Sequence, residues 1–192
     1  MLLHRLSPLA ALALLGCASG PTTLPPAPAW AFASATPSAG NELRMHAQDK
    51  YIQVSLDGNN IYGASFSLSH SGIYIRGTGS GGSPIDVKLQ TDHATGIVRS
   101  QPLTVDLSPE TGGVTRVTGL FAGSTSDFRI SPALFQGKLG SCSYEYTWTG
   151  MRYEGKVSCS GGVQDGSLEL PVAMAAWTNL EVATVLAIVL GT

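Results

Sequence analysis

The sequence predicts a mainly β protein: an antiparallel up-and-down meander of about ten to twelve strands with one C-terminal helix. Three observations predict it. Alternation of apolar and polar residues with period 2 recurs through 51–171, broken by clusters of Gly, Pro, Asn and Ser. The 192 residues include 23 glycines and only 12% charged residues, against a usual share of roughly 25%, which suits short strands and turns. After Pro171 the alternation stops, and Thr178-Asn179-Leu180-Glu181 reads as a capping box ahead of an apolar run.

The best-defined hairpin sets SCSYEYTW (141–148) against YEGKVSCS (153–160), with 149–152 as a four-residue turn. Cys142 then opposes Cys159, Tyr144 opposes Val157, Tyr146 opposes Gly155 and Trp148 opposes Tyr153, all on one face. The other face pairs Ser143 with Ser158, Glu145 with Lys156 and Thr147 with Glu154. One register sorts apolar from polar and brings two cysteines within bridging range. Cys142 and Cys159 are therefore expected to form a structural disulfide, whose closed loop of about 17 residues is worth ~3 kcal/mol. A redox-active pair would want a Cys-x-x-Cys spacing instead.

Further hairpins follow the same logic. Segment 73–77 folds back on 85–89, so that Ile75 faces Val87, Gly77 faces Ile85 and Arg76 meets Asp86. Segment 117–121 is expected to pair with 128–130, placing Gly119 opposite Ile130, and Val54 faces Gly63 across 57–60. Each pairing lays a strand glycine under a large side chain, which relieves crowding and permits a sheet to curve. PIDVKL (84–89) and PLTVDL (102–107) stand 18 residues apart, as do Gly119, Gly137 and Gly155, which marks a hairpin repeat of about 18–23 residues. Such a meander closes into a barrel or folds into two packed sheets; a flat sheet or β-solenoid is the alternative. The helix is expected over about 179–190, with Thr178 as N-cap, Trp177 and Val182 at the staple positions, and Gly191 at its end. Its length of ~18 Å falls short of a bilayer core, so it packs on the sheet or plugs a barrel end; a partner-binding helix is the alternative.

The chain opens with MLLHRLSPLAALALLG (1–16), in which Arg5 precedes an apolar run from Leu6 to Leu15. That run is about ten residues, short of the ~20 needed to span a bilayer, and reads as a signal-peptide core. Leu14-Leu15-Gly16-Cys17 follows at once and resembles the lipobox of bacterial lipoproteins. The resemblance implies cleavage before Cys17 and acylation of its side chain and amine, anchoring the protein to the lipid bilayer. With Ala18 rather than Asp next, it also implies the outer membrane, on either face. The Ala-x-Ala triplets at 31–33 and 33–35 stand too far downstream for ordinary signal cleavage. Residues 17–40, with five prolines and no charge, form a tether, leaving 41–192 as one β-rich domain.

With Lys+Arg 11 against Asp+Glu 13, no basic surplus supports nucleic-acid binding. Gly77–Gly82 matches G-x-G-x-x-G but lies between β segments, where it reads as a hairpin loop rather than a dinucleotide site. No G-x-S-x-G elbow or H-E-x-x-H helix occurs. His46, His70 and His93 stand isolated in the sequence, with Asp92-His93 read as part of a solvated loop. Asp86, Asp106 and Asp127 recur on the polar side of their strands and are expected to form cross-strand pairs rather than a cation ladder. No catalytic or metal-ligating set and no cofactor is assigned. The favoured reading is a noncatalytic lipid-anchored envelope protein, a binding or assembly module whose partner is an envelope protein or lipid. A barrel-type carrier of an apolar small ligand or lipid, and a hydrolase assembled from distant residues, are the alternatives.

Overall fold

The computed structural model describes residues 40–47, 50–121, 123–160 and 162–191. The signal segment 1–16, Cys17 and the tether up to residue 39 lie outside the described residues. The wall begins with β1 (Glu42–Ala47), β2 (Lys50–Asp57), β3 (Asn60–Gly63), β4 (Phe66–Ser71) and β5 (Tyr74–Gly79). It continues through β6 (Pro84–Leu89), β7 (His93–Val98), β8 (Gln101–Pro109), β9 (Thr115–Phe121) and β10 (Ser124–Ser131). Then come β11 (Leu134–Leu139), β12 (Cys142–Trp148), β13 (Tyr153–Cys159), β14 (Gly162–Glu169) and the helix α1 (Asn179–Leu190).

Each strand pairs antiparallel with its sequence neighbours, and β1 pairs with β14, closing a barrel of fourteen strands. The count exceeds the expected ten to twelve because most hairpins turn in two residues, among them 58–59, 64–65, 72–73, 99–100 and 140–141. Tight turns fit more strands into the same length. Burial alternates along the strands, as in β6, where Ile85, Val87 and Leu89 point inward and Pro84, Asp86 and Lys88 outward. The wall is thus apolar inside and mostly polar outside, with Tyr51, Tyr62, Ile97 and Val163 as scattered exceptions, whereas a membrane-spanning barrel carries a continuous apolar outer band.

The 141–160 hairpin has the expected register: Tyr144 faces Val157, Tyr146 faces Gly155 and Trp148 faces Tyr153. Ile75–Val87, Gly77–Ile85 and Val54–Gly63 also pair as expected. The pairing of β9 with β10 does not. Gly119 stands opposite Ser126 and Ile130 opposite Thr115, because β9 runs on to Phe121 and β10 already begins at Ser124, which draws Ser124–Asp127 into the strand. The slip is four residues, an even number, so Phe128 and Ile130 still face the core.

A structural repeat underlies the glycine spacing. Gly77, Gly96, Gly119, Gly137 and Gly155 lie on alternate strands, each opposite a buried residue of the preceding strand: Leu68, Val87, Val105, Phe128 and Tyr146. A Cβ at Gly155 would come within 1.9 Å of the Glu145 carbonyl oxygen, and the other four are similarly crowded by backbone. The strands approach too closely there for any side chain, so the partner's bulk lies over bare backbone.

The helix lies within the barrel. Leu180 and every residue from Val182 to Leu190 are buried, so all its faces are covered. Its backbone comes closest to β7, β8 and β9, where Ala94 and Gly96 take little room. The space toward the other wall is filled by Phe128, Phe135, Tyr144, Tyr146 and Tyr153, whose rings pack in edge and tilted contacts. A helix apolar all round is stable only when surrounded. The expectation of a packed or plugging helix holds in its stronger form.

The helix enters at the end where β1 begins, here the lower rim. The expected capping box is present: Thr178 Oγ1 accepts from the Glu181 amide, while Thr178 N donates to Glu181 Oε2 at 2.6 Å. Asn179 Nδ2 donates to Thr115 Oγ1 at 2.7 Å. At the upper rim the helix ends at Gly191, beneath the Phe121 ring, where a Cβ would meet ring carbons at 2.5 Å.

Candidate functional site

Cys142 and Cys159 are bonded to each other at the upper end of the β12–β13 hairpin, with Cα atoms 4.3 Å apart. Both sulfurs are thereby committed to a structural link, as their opposed positions imply. On the outer face of the same hairpin Glu145 stands opposite Lys156, but the Lys156 amine bonds Asp165 of β14 instead, at 2.5 Å.

The recurring aspartates resolve into cross-strand pairs. Asp86 accepts from Arg76 Nε at 3.0 Å, and Asp127 accepts from Arg116 through both oxygens, at 2.9 and 2.6 Å. The Arg116 guanidinium holds the Asp127 carboxyl below its usual range. His93 opens β7, and its Nδ1 lies 2.5 Å from Asp106 Oδ1, so its partner is on the next strand rather than Asp92 beside it. These pairs are substantially exposed, and ion pairs in that setting add little to stability. His70 is not isolated either. Its Nε2 lies 3.0 Å from Glu181 Oε1, out of line for a good hydrogen bond, and its ring packs 5.4 Å from Trp177.

The seam between β1, β14 and β13 carries the richest mixture of side chains. His46, Ser167 and Glu154 fall in one row across the three strands. They line an open groove of about 540 Å³ with Arg152 and Asp165. The residue types are those of a serine nucleophile, a base and an acid, but their bonds are not. Glu154 Oε1 accepts from Arg152 Nε at 2.6 Å, and no hydrogen bond joins His46 to Ser167 or Glu154. Around them charges alternate in sign: Glu42 binds Arg44, while Glu169 lies 4.0 Å from Arg44 and 3.9 Å from Arg152. Arg44, with help from Gln53, holds the Glu42 carboxyl below its usual range. The seam is a self-neutralised polar strip, able to meet a polar partner through hydrogen bonds and matched charge. Sequence reasoning missed it because 42–46 and 152–169 meet only when the barrel closes.

Among the described residues no group of three His, Cys, Asp or Glu side chains is placed to hold a metal ion. No helix among them is long and apolar enough to cross a membrane. Comparison of the chain with known protein families, curated proteins and solved structures finds no match.

Proposed function

We propose that the chain is a noncatalytic, lipid-anchored protein of the cell envelope, whose barrel is a binding or assembly module held at the outer membrane through acylated Cys17. The observation that carries the reading is Leu14-Leu15-Gly16-Cys17 at the end of a short apolar run. Two features support it. The Cys142–Cys159 link suits an oxidising compartment, and its pairing leaves Cys17 as the odd cysteine. The occupied lumen favours recognition on the outer wall or the rims, because a carrier of apolar cargo would first have to expel α1. The seam strip, polar and balanced in charge, suits a protein surface better than a lipid tail.

The test is lipidation and what depends on it. The wild-type chain, expressed in a Gram-negative host, is expected to gain the mass of three acyl chains and to float with outer-membrane vesicles. Cys17→Ser should remain soluble after cell disruption. Membrane association of Cys17→Ser, together with an unmodified mass in the wild type, would overturn the proposal.

A further inference from the structure

One arginine differs from the others among the described residues. Arg44, Arg76, Arg116, Arg129 and Arg152 each have a carboxylate within 3.0 Å. Arg99, the remaining described arginine, has none among the described residues. It sits at the upper rim in the two-residue turn between β7 and β8, where Val98 pairs with Gln101. Both turn residues adopt left-handed backbone, Arg99 at φ +54° and Ser100 at φ +65°, the only described non-glycine residues to do so. Asn-Gly suits such a turn; an arginine there is held against a steric penalty. Backbone strain of this kind collects where a side chain is needed for function.

The Arg99 side chain runs inward from the turn. Its Cγ and Nε lie 3.2 and 3.3 Å from where a Cβ on Gly79 would stand, so the glycine leaves room for its passage. Its Nε is buried and has no hydrogen-bond partner. A buried donor left unpaired is costly. The side chain lines a cleft of about 170 Å³ at the mouth of the barrel, together with Lys50, Gln53, Ser65, Phe66 and Val189. Among the described residues no carboxylate pairs with Lys50, and none lines the cleft. Phe66 and Val189 supply an apolar floor where the helix ends. A role for Arg99 in neutralising the helix C-terminus would explain a nearby cation. It would not explain the strained turn, the unbonded Nε or Lys50 beside it.

We infer that this upper-rim cleft binds a small anionic amphiphile, a carboxylate or phosphate head on an apolar chain. Arg99 offers the planar fork that matches such a head, with Lys50 as a second charge and Ser65 as a hydrogen-bonding group. The first carbons of the chain would lie on Phe66 and Val189. The cleft is smaller than the ~300 Å³ of a drug-sized pocket, so it takes the head and a few carbons and leaves a longer chain outside. The inference does not depend on lipidation at Cys17.

The probes are octyl phosphate below its micelle concentration, inorganic phosphate and octanol. They are titrated into the whole Cys17→Ser chain, with amide chemical shifts as the readout. Octyl phosphate should saturate with shifts at residues 50–53, 64–66 and 99–101, and bind at least tenfold more tightly than inorganic phosphate or octanol. Arg99→Asn should weaken octyl phosphate at least tenfold while raising Tm by about 2 °C, since Asn relieves the turn. Arg99→Lys, retaining charge without the fork, should fall between. Saturable shifts with vesicles of anionic lipid, absent with neutral vesicles, would identify a lipid head as the source; a response to octyl phosphate alone identifies a free amphiphile. Equal binding by octanol would remove the anion from the proposal, and equal binding by inorganic phosphate would remove the chain. Unchanged binding in Arg99→Asn, or a lowered Tm, would overturn it in favour of a structural arginine.

Discussion

The two rims of the barrel treat the same helix in opposite ways. At the lower rim the helix start is tied down: Thr178 and Glu181 cap each other, Asn179 bonds Thr115, Glu181 faces His70, and Trp177 packs on His70. Tyr153 adds to this rim from the wall, its hydroxyl donating to the Ser131 and Pro132 carbonyls at 3.2 and 3.3 Å. At the upper rim the Tyr144 hydroxyl donates to the Leu190 carbonyl over a long 3.4 Å. Beside it stand a strained turn and two cations, Arg99 and Lys50, that no described carboxylate pairs. The contrast teaches that one end serves to fasten the helix, while the other keeps polar capacity that folding does not use.

Three changes would break or sharpen that contrast. The largest effect is expected between the rims. Leu186 is 1% exposed in the filled lumen, and Leu186→Asp would bury a charge with no partner, costing at least about 4 kcal/mol. The urea midpoint of the Cys17→Ser chain should fall sharply. An unchanged midpoint would mean that the helix spends its time outside the wall.

Alkaline titration comes next. Burial pushes the Tyr146 phenol up to about 12 and raises Tyr144 and Tyr153 as well. These groups are neutral when folded, whereas the unfolded chain ionises them near pH 10. Their contribution is therefore complete below about pH 10 and is lost as pH rises toward the folded values, at about 1.4 kcal/mol per pH unit for each phenol. Unfolding midpoints measured from pH 9 to 12, with tyrosinate absorbance as a second probe, should show the decline begin near 10. Ionisation of all three tyrosines near pH 10 without loss of structure would contradict their placement in a dry core.

The smallest effect concerns the fastening itself. Thr178→Ala removes the cap and should cost about 1 kcal/mol. Hydrogen exchange should quicken in the first helical turn and leave residues 187–190 unaffected. Equal quickening at both helix ends would erase the distinction between the rims.

Local chemistry made much of this fold legible. In the 141–160 hairpin, cysteines, aromatics and polar residues all agree on one register, and Thr178 with Glu181 marks the helix start within a single turn. Where the signal was only alternation, as between 117 and 130, the inward face came through and the register did not, because any even slip preserves alternation. The strand count suffered because turns such as 64–65 and 140–141 leave little mark. The 99–100 turn carries Arg-Ser in place of the usual Asn-Gly, so its geometry is absent from the composition. The site residues were the least visible. His46 meets Ser167 and Glu154, His70 meets Glu181, and Arg99 reaches the cleft of Lys50 only through closure of the wall. No spacing along the chain encodes those meetings.

That closure also orders the assembly in time. Every wall pairing but one joins strands adjacent in sequence, within reach of fast local hairpin formation. The exception pairs Arg44 with Glu169, across nearly the whole domain. Until it forms, β1 and β14 are open edges, each able to recruit a strand from another copy of the chain. The helix follows β14 after a short connection that includes the 3-10 turn Val172–Ala176, and a short apolar rod is hard to thread lengthwise into a finished tube. The wall would then wrap around a helix already in place, with the final docking of β1 onto β14 removing both adhesive edges at once. Soluble yield on refolding would then depend on how quickly that single distant contact outruns encounters between half-wrapped chains, and dilution should raise the yield more than any gain in equilibrium stability.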